Sequence, residues 1–565
     1  MLMAAAFAFC ACAKDRGEHT APSGQPAGQT VSPAETAPAA QTEEPEGYEI
    51  FEGYHARWES YSSAFATQAI SSKGLTVHYA KLICEEQALI SAYEKLRQAF
   101  EQAEEKLGQA PGETVVYVVS QVNSTRPVFG NIAYCTPEEL ESGRGVAAAI
   151  GAGWDLSEQW KREAVYEYVF GGETDESGLK EFFSQPENAL AASLSPLFMD
   201  EELAGEETAS MVRRAAASFA SFVIGSHGFA ALHDCPDPAL LMPEWLGAIG
   251  VPESIALPDG AAAAADMTVS RGRRGPVLEF GAFTVNANEE GFAHTADELY
   301  TLCCSLAQTA ELLTERFERE TPLLYTRIAD KLGEGVSITL TDFDTSSSYA
   351  YPYRGEISLS QPWPAPHELV HVLLWEDACP DETRWVTEAL AEHYSLEAQG
   401  EAFPQYDLQG GFEGYREFFR ELSGAEETED DLAFHRAVWS IYEKLRSDEA
   451  VSEGRDDPDA YEFAYGIAQL LLPELDRKQI RFMYDRTVGW GYGFKDGSKE
   501  SAGNNLSYPE SRAVFEYLAG LFGAEKLTAD QIAGKTTQQS TGMSWQEILA
   551  GAREHYGELY GSLVH

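Results

Sequence analysis

One segment restricts the local structure of this chain more than any other: Pro366-His367-Glu368-Leu369-Val370-His371. Prolines are tolerated in the first turn of a helix, and Val370, Leu373 and Leu374 have helical apolar spacing, so the segment is predicted to be a helix. Residues four apart leave the same face of a helix, which places the two imidazoles side by side. Two such imidazoles can bind one Zn²⁺ at about 2.0–2.1 Å.

A second helix is predicted at about 381–399, with Asp381 as its N-cap. It carries Glu388, which follows His371 after the sixteen residues 372–387, and Glu392 one turn later. Three protein ligands with one open position make a catalytic zinc site, so the third ligand is expected on this second helix. Glu392 is placed to orient a ligand histidine through its other ring nitrogen. Glu368 follows the first ligand directly and is placed to take a proton from a metal-activated water.

H-E-x-x-H followed by W-x-x-E-A-x-A-E-H resembles the gluzincin metallopeptidases, which include thermolysin-like and aminopeptidase-N-like enzymes. The resemblance covers about 360–400, and Ala389 stands where the family frequently has glycine. It implies an α+β fold, mainly helical with a small mixed sheet. It also implies a Zn²⁺ cofactor on His367, His371 and Glu388, and hydrolysis of a peptide or protein substrate with Glu368 as the general base.

The resemblance further implies a Tyr or His that stabilises the oxyanion of the tetrahedral intermediate. Tyr508, in S-Y-P-E-S-R-A-V-F-E-Y-L, best matches the family context, and Tyr465 is its rival. The segment Arg354–Ser360 is expected to be the edge strand that pairs with an extended substrate. The chain has no G-x-M-E-N segment, so the exopeptidase activity of the aminopeptidases has no support here.

The N-terminus predicts export and a lipid anchor. Residues 1–12 read as a signal with a lipobox in which Cys12 carries the lipid, and residues 13–47 read as a disordered linker. The expected location is therefore the cell surface, tethered to a bacterial membrane. The net charge of −51 argues against nucleic-acid binding, which needs basic patches. The six remaining cysteines have no metal-binding spacing and are interpreted either as disulfides or as free thiols.

The order of predicted elements suggests an internal duplication, with a degenerate, non-metal-binding copy at 48–262 and the zinc metallopeptidase-like domain at 263–565. In the first copy the zinc helix would match the segment from Arg162 to Tyr166, which has lost both imidazoles. Two later helical segments match as well, each ending at a glycine, Gly228 or Gly523. Asp259–Ala265 and Thr268–Arg274 are expected to connect the copies.

Two non-catalytic functions compete with the peptidase hypothesis. One is a cell-surface binding lipoprotein with a structural or vestigial metal site, which a degenerate copy would suit. The other is an extracellular zinc carrier, although the chain lacks the His-rich tract that such proteins often have.

Overall fold

The computed structural model describes residues 48–55, 64–122, 127–172, 175–235, 238–251, 267–272, 274–287, 294–341, 348–359, 364–375, 384–399, 411–414, 416, 428–447, 457–473, 492–493 and 505–564. They belong to two compact units. The first unit contains the described residues of 48–179 and 213–235, and the second contains those of 180–212 and 236–564. The fold is α+β, mainly helical, with two small mixed sheets.

The elements up to residue 249 comprise six strands and ten α-helices among the described residues. The strands are β1 (Glu49–His55), β2 (Phe65–Ser72), β3 (Leu75–Ala80), β4 (Thr114–Val118), β5 (Val128–Phe129) and β6 (Ile132–Cys135). The helices are α1 (Glu86–Leu107), α2 (Pro137–Ser142), α3 (Arg144–Gly153), α4 (Gln159–Phe170), α5 (Glu176–Phe183), α6 (Pro196–Met199), α7 (Glu201–Ala204), α8 (Glu206–His227), α9 (Phe229–Asp234) and α10 (Met242–Ile249).

Further strands and α-helices follow in the rest of the described chain. The strands are β7 (Thr268–Arg271), β8 (Pro276–Phe280), β9 (Phe283–Ala287), β10 (Val336–Leu340), β11 (Tyr349–Tyr351), β12 (Glu356–Leu359), β13 (Tyr492–Gly493) and β14 (Asn505–Leu506). The helices are α11 (Ala296–Glu320), α12 (Pro322–Glu334), α13 (Ala365–Leu374), α14 (Arg384–Gln399), α15 (Glu429–Ser447), α16 (Asp457–Leu471), α17 (Tyr508–Phe522), α18 (Ala524–Ile532), α19 (Thr537–Thr541) and α20 (Trp545–Tyr560).

The two six-stranded sheets have the same topology. The first has the order β1-β2-β3-β4-β6-β5, and the second has β7-β8-β9-β10-β12-β11. In each, three antiparallel strands lead into two parallel ones, and an antiparallel strand closes the far edge. A helical connection joins the third strand to the fourth, as a parallel pair requires.

The register of the two sheets also agrees across all six strands. One row of paired residues crosses the first sheet at Ile50, Ile70, Val77, Val116, Ala133 and Val128. The corresponding row crosses the second sheet at Val269, Leu278, Val285, Ile338, Ile357 and Ala350. The four central residues of each row are buried, so each sheet turns the same set of positions toward its helices.

Helices cover this buried face in both units. In the first unit, α3 packs against β4, β5 and β6, and in the second unit α13 packs against β11 and β12. The second helix of each pair, α4 or α14, packs on the first. In the second unit α17 then packs against both α14 and α16. Gly466 permits the last contact, since a Cβ there would lie 2.1 Å from the Pro509 carbonyl oxygen.

Several sequence predictions need correction. The segment Thr268–Arg271 was expected to be a connection but forms β7, because it pairs with β8. The expected edge strand, Arg354–Ser360, contains β12, which lies between β10 and β11. Both predicted C-cap glycines do end helices with positive φ, 84° at Gly228 and 85° at Gly523.

Other predictions meet the structure only in part. Five cysteines are free thiols, namely Cys84, Cys135, Cys235, Cys303 and Cys304, whereas Cys379 lies outside the described residues. The signal, the lipobox with Cys12 and the linker also lie outside them. Among the helices that the structure describes, none has the length and apolar character needed to cross a bilayer.

Candidate metal centre

The helix α13 presents the two motif histidines for simple local reasons. Pro364 and Pro366 occupy its N-cap and first turn, where a missing backbone N–H costs nothing. Leu369, Val370 and Leu373 are fully buried and fix the rotation of the helix. His367 and His371 therefore leave the same face and point toward α14, where Glu388 is located.

The three predicted ligands converge on one point. The Glu388 Oε2 atom lies 3.1 Å from His367 Nε2 and 3.3 Å from His371 Nε2, and the two Nε2 atoms are 3.2 Å apart. Four ligands at about 2.0–2.1 Å from a tetrahedral zinc lie about 3.3–3.4 Å from one another. The donor atoms are thus spaced as one face of a zinc coordination sphere. Within the described part of the chain, this is the one group of three His, Cys, Asp or Glu side chains with ligand atoms within 4.8 Å of one another.

Two glutamates flank the three ligands. His367 Nδ1 lies 2.9 Å from Glu392 Oε1, so a proton on Nδ1 leaves Nε2 free to face Glu388 and His371. Glu368 follows His367 on α13 and is only 2% exposed. The structure thus places Glu392 where the sequence predicted an orienting carboxylate, and it buries Glu368 next to the first ligand.

The charges of this group are strongly coupled. Burial opposes ionisation of Glu388, but His371 and His367 outweigh burial and hold the pKa of the carboxyl well below its ordinary value. Burial likewise lowers the pKa of His367, yet the carboxylates of Glu388 and Glu392 raise it far above the ordinary value. Two carboxylates facing two imidazoles therefore favour a positive charge at their centre, which is the environment that a divalent cation requires.

The two candidate oxyanion donors differ in how much the structure says about them. Tyr508 is the first residue of α17, and its side chain lies outside the described residues. Tyr465 is on α16, 1% exposed, and its ring centroid lies 5.0 Å from that of Phe434 in a T-shaped contact. Tyr465 is therefore part of the packing between α15 and α16.

One residue near the site was missed in the sequence. His393 follows Glu392, is 6% exposed, and its Nδ1 atom lies 2.7 Å from Glu516 Oε1 on α17. The neighbouring Tyr394 hydroxyl lies 2.9 Å from Thr528 Oγ1 on α18. These contacts connect α14, which carries Glu388, to α17 and α18. The only signal in the sequence was the histidine that directly follows A-E in the motif.

Comparison of the chain with protein-family models, with curated proteins and with solved structures gave no match.

Proposed function

We propose that the chain is a zinc-dependent metallopeptidase of the gluzincin type, tethered at the cell surface through Cys12. The observation that supports this most is the spacing of His367 Nε2, His371 Nε2 and Glu388 Oε2, at 3.1–3.3 Å from one another. It suits a small ion with nitrogen and oxygen ligands, and Zn²⁺ favours this donor set. The residues present therefore fit the cofactor that the sequence motif implies.

The proposed reaction is hydrolysis of a peptide bond by water. A bound Zn²⁺ supplies Lewis acidity, which lowers the pKa of water and polarises a carbonyl oxygen. Glu368 accepts the proton of the attacking water and returns it to the leaving amine as the C–N bond breaks. Glu392 keeps His367 in the tautomer that presents Nε2. Tyr508 remains the proposed hydrogen-bond donor to the oxyanion, with Tyr465 as the less favoured candidate because its ring is packed in the core.

The substrate is proposed to bind along β11 rather than along the segment first expected. β11 is the terminal strand of the second sheet among the described residues, and it packs against α13. An extended peptide that adds to an edge strand gains backbone hydrogen bonds regardless of its sequence. This mode suits an enzyme that cleaves the middle of peptides, in keeping with the lack of a G-x-M-E-N segment.

We also propose that the first unit is a degenerate copy of the second. The support is the shared strand order, strand direction and register of the two sheets. Strand–helix–strand order is common among proteins, but the same order and direction of six strands, with the four central positions of the row buried in both, is a far more specific likeness. The register assigns Ala133 to Ile357, one residue away from the alignment read from the sequence.

The full-length chain tests the proposed activity directly. A library of peptides is digested with and without a chelator by the wild-type chain and by Glu368→Gln, and the zinc content of both is measured. We expect chelator-sensitive cleavage that falls by about 10²–10⁴-fold in the variant. Zinc should remain in the variant, because Glu368 is not a ligand. Zinc without cleavage of any peptide, or equal cleavage by Glu368→Gln, would contradict the proposal.

The same experiment addresses the binding lipoprotein, which is the second candidate. Its support is that the side chains of His367, His371 and Glu388 are only 12%, 7% and 4% exposed, and structural zinc sites are typically closed. A binding protein with a structural ion would lose stability when the ion is removed, yet it would keep its function in the Glu368→Gln variant.

A further inference from the structure

The helix that packs on the last parallel strand of each sheet is matched between the units, although the short helix α2 precedes it in the first unit. Both α3 and α13 have ten residues, and a tryptophan, Trp154 or Trp375, is the C-cap in each. When α13 and α3 are aligned at both ends, His367 corresponds to Val146, Glu368 to Ala147 and His371 to Ile150. All three residues of the first unit are buried and none can bind a metal.

The second helix is matched even more closely. α4 reads Trp160-Lys-Arg-Glu163-Ala-Val-Tyr-Glu167, and α14 contains Trp385-Val-Thr-Glu388-Ala-Leu-Ala-Glu392. In both helices the tryptophan is the second residue and is no more than 1% exposed. Glu163 and Glu167 therefore occupy the places of the ligand Glu388 and of the orienting Glu392. In this correspondence the segment Arg162–Tyr166, which the sequence matched to the zinc helix, lies on the second helix of the pair.

The environment of Glu163 supports this correspondence. Burial raises the pKa of its carboxyl, and the charge of Glu167 adds to the shift, while Arg162, Arg144 and Arg213 oppose it. Arg144 is the first residue of α3, so the carboxyl of Glu163 is near the helix whose counterpart carries the histidines. The partly buried carboxyl of Glu163 thus lies among charged groups, as the carboxyl of Glu388 does in the second unit.

We infer that the first unit contains the remnant of a second metal centre, in which Glu163 keeps the place of the third ligand and Val146 and Ile150 have replaced both imidazoles. The inference rests on the proposed metal centre of the second unit. It implies that the chain binds one Zn²⁺ and that the first unit is metal-free because two apolar side chains fill the histidine positions.

The test restores the missing ligands. The full-length double variant Val146→His/Ile150→His is loaded with zinc, dialysed and analysed for zinc per chain. We expect one equivalent in the wild type and two in the double variant. Adding Glu163→Gln to the double variant should return the value to one, because the third ligand is then gone. A double variant that still holds one equivalent, with wild-type hydrogen-exchange protection in 159–170, would overturn the inference.

A second variant decides the matter if two buried histidines prevent folding. Glu163→Leu in the otherwise unchanged chain removes a carboxyl that has no metal to bind. We expect protection of 159–170 from hydrogen exchange to be equal to that of the wild type or higher. A loss of protection of tenfold or more would mean that Glu163 is needed for its arginine contacts and would overturn the inference. If the wild type holds no zinc, the proposed function fails, whereas a gain from zero to one in the double variant would still support the remnant.

A separate observation concerns the substrate of the second unit. The guanidinium of Arg354 lies 5.4 Å from the ring centroid of Tyr351 and 5.0 Å from that of Tyr353, next to the edge strand β11. The side chain of Arg354 is 55% exposed. Lys331 Nζ donates to the Pro352 carbonyl oxygen at 2.6 Å and so anchors the turn Pro352–Arg354. We name Tyr351, Tyr353 and Arg354 the edge patch.

We propose that the edge patch selects peptides with an acidic side chain near the bond to be cleaved. Stacking on aromatic rings holds a guanidinium plane while its N–H edge stays available for a carboxylate. Arg354 Nη1 is 3.6 Å from Glu356 Oε2, which is too long for a strong hydrogen bond and leaves the guanidinium able to bind a second acid. The exposed guanidinium beside the edge strand supplies the positive charge that is complementary to an acidic side chain of a peptide.

This proposal rests on the proposed function and is tested without turnover. Dissociation constants are measured for pairs of peptides that differ by Glu against Gln, with the Glu368→Gln chain as the receptor. We expect a preference for the acidic peptide of about three- to tenfold, lost on Arg354→Gln and increased by Glu356→Gln. Arg553→Gln, an exposed arginine elsewhere in the unit, makes the same charge change and should keep the preference. Binding without an acid preference would overturn the edge patch alone, whereas no binding of any peptide would count against the proposed function.

Discussion

The two units have the same sheet but different chemistry on the helix pair that covers it. α13 and α14 bring His367, His371 and Glu388 together, while α3 offers only Val146, Ala147 and Ile150 at the matching places. The glutamate of the second helix is present in both units. The comparison teaches that the sheet and helix pair do not need the metal-binding residues for their packing.

The layer between the paired helices shows how the packing is conserved. In the first unit Gly151 faces Arg162, and a Cβ on Gly151 would lie 2.2 Å from Arg162 Cδ. The corresponding pair in the second unit is Val372 and Thr387, both buried. The first unit has one large residue, Arg162, and one glycine, whereas the second unit has two residues of intermediate size. The summed side-chain volume at these two positions is therefore similar in the two units.

Metal removal should give the largest difference between the units. A chelator should reduce the hydrogen-exchange protection of 365–374 and 384–399, since a ligand present at a thousand times its Kd contributes about 4 kcal/mol to the state that binds it. Residues 144–153 and 159–170 should keep their protection, because no ion is bound there. Equal losses in both helix pairs, or no loss in either, would contradict the assignment of the metal to the second unit.

The orienting glutamates give the next largest contrast. Glu392→Gln weakens the hydrogen bond that fixes His367, so zinc affinity should fall by about 10–100-fold. Glu167→Gln, the matched change in the first unit, should leave zinc affinity unchanged. Competition with a coloured zinc chelator measures both values. Similar affinities for Glu392→Gln and the wild type would remove Glu392 from the site.

The packing comparison predicts a smaller effect. Gly151→Val inserts a side chain against Arg162 and should destabilise the first unit by about 1–3 kcal/mol. Combining it with Arg162→Thr, which recreates the Val372 and Thr387 pair, should recover part of that loss. A double-mutant cycle on urea unfolding measures the coupling. Strict additivity of the two changes would mean that residues 151 and 162 do not share one packing site.

A pH effect should be the smallest. The pKa of Glu163 is raised above its ordinary value of 4.5, so the folded state holds the proton more tightly than the unfolded state. The stability that this contributes is complete below the ordinary value and is lost as pH rises through the raised one. Hydrogen exchange of residues 159–170 is measured against pH and corrected for the intrinsic exchange rate. In the wild type the protection of this helix should decline as pH rises, and Glu163→Gln should remove the decline. An unchanged decline would assign it to Glu167, whose carboxyl pKa is also raised by burial, while Arg144, Arg162 and Arg213 face Glu163 with charges that do not change over this pH range.

The sequence predicted the convergence of His367, His371 and Glu388 better than it predicted the rest of the chain. Because His367 and His371 are four positions apart on a helix, their side chains must leave the same face. The second helix could be recognised from its apolar pattern and from Trp385. The place of β12 within the sheet could not be read in this way. The short strand β11 supplies the edge, and a three-residue strand has too few side chains to show an alternating pattern.

The match of the zinc helix to Arg162–Tyr166 could not be checked from the order of elements alone. The structure places these residues on α4, which packs on α3 as α14 packs on α13. The two units share the order of their strands and the Trp-x-x-Glu-Ala start of α4 and α14. Contacts such as that between His393 and Glu516 could not be predicted from the sequence, because 123 positions separate the two residues.

X-ray absorption at the zinc edge, on the full-length chain loaded with one equivalent of Zn²⁺, tests the central claim most directly. We expect a first shell of nitrogen and oxygen at about 2.0–2.1 Å, with the outer scattering of two imidazoles. In Glu388→Gln the ion should be lost or its first shell altered, while Glu163→Gln should give the wild-type spectrum. Sulfur scatterers at about 2.3 Å, or a spectrum of zinc without imidazole, would contradict a site made by His367, His371 and Glu388.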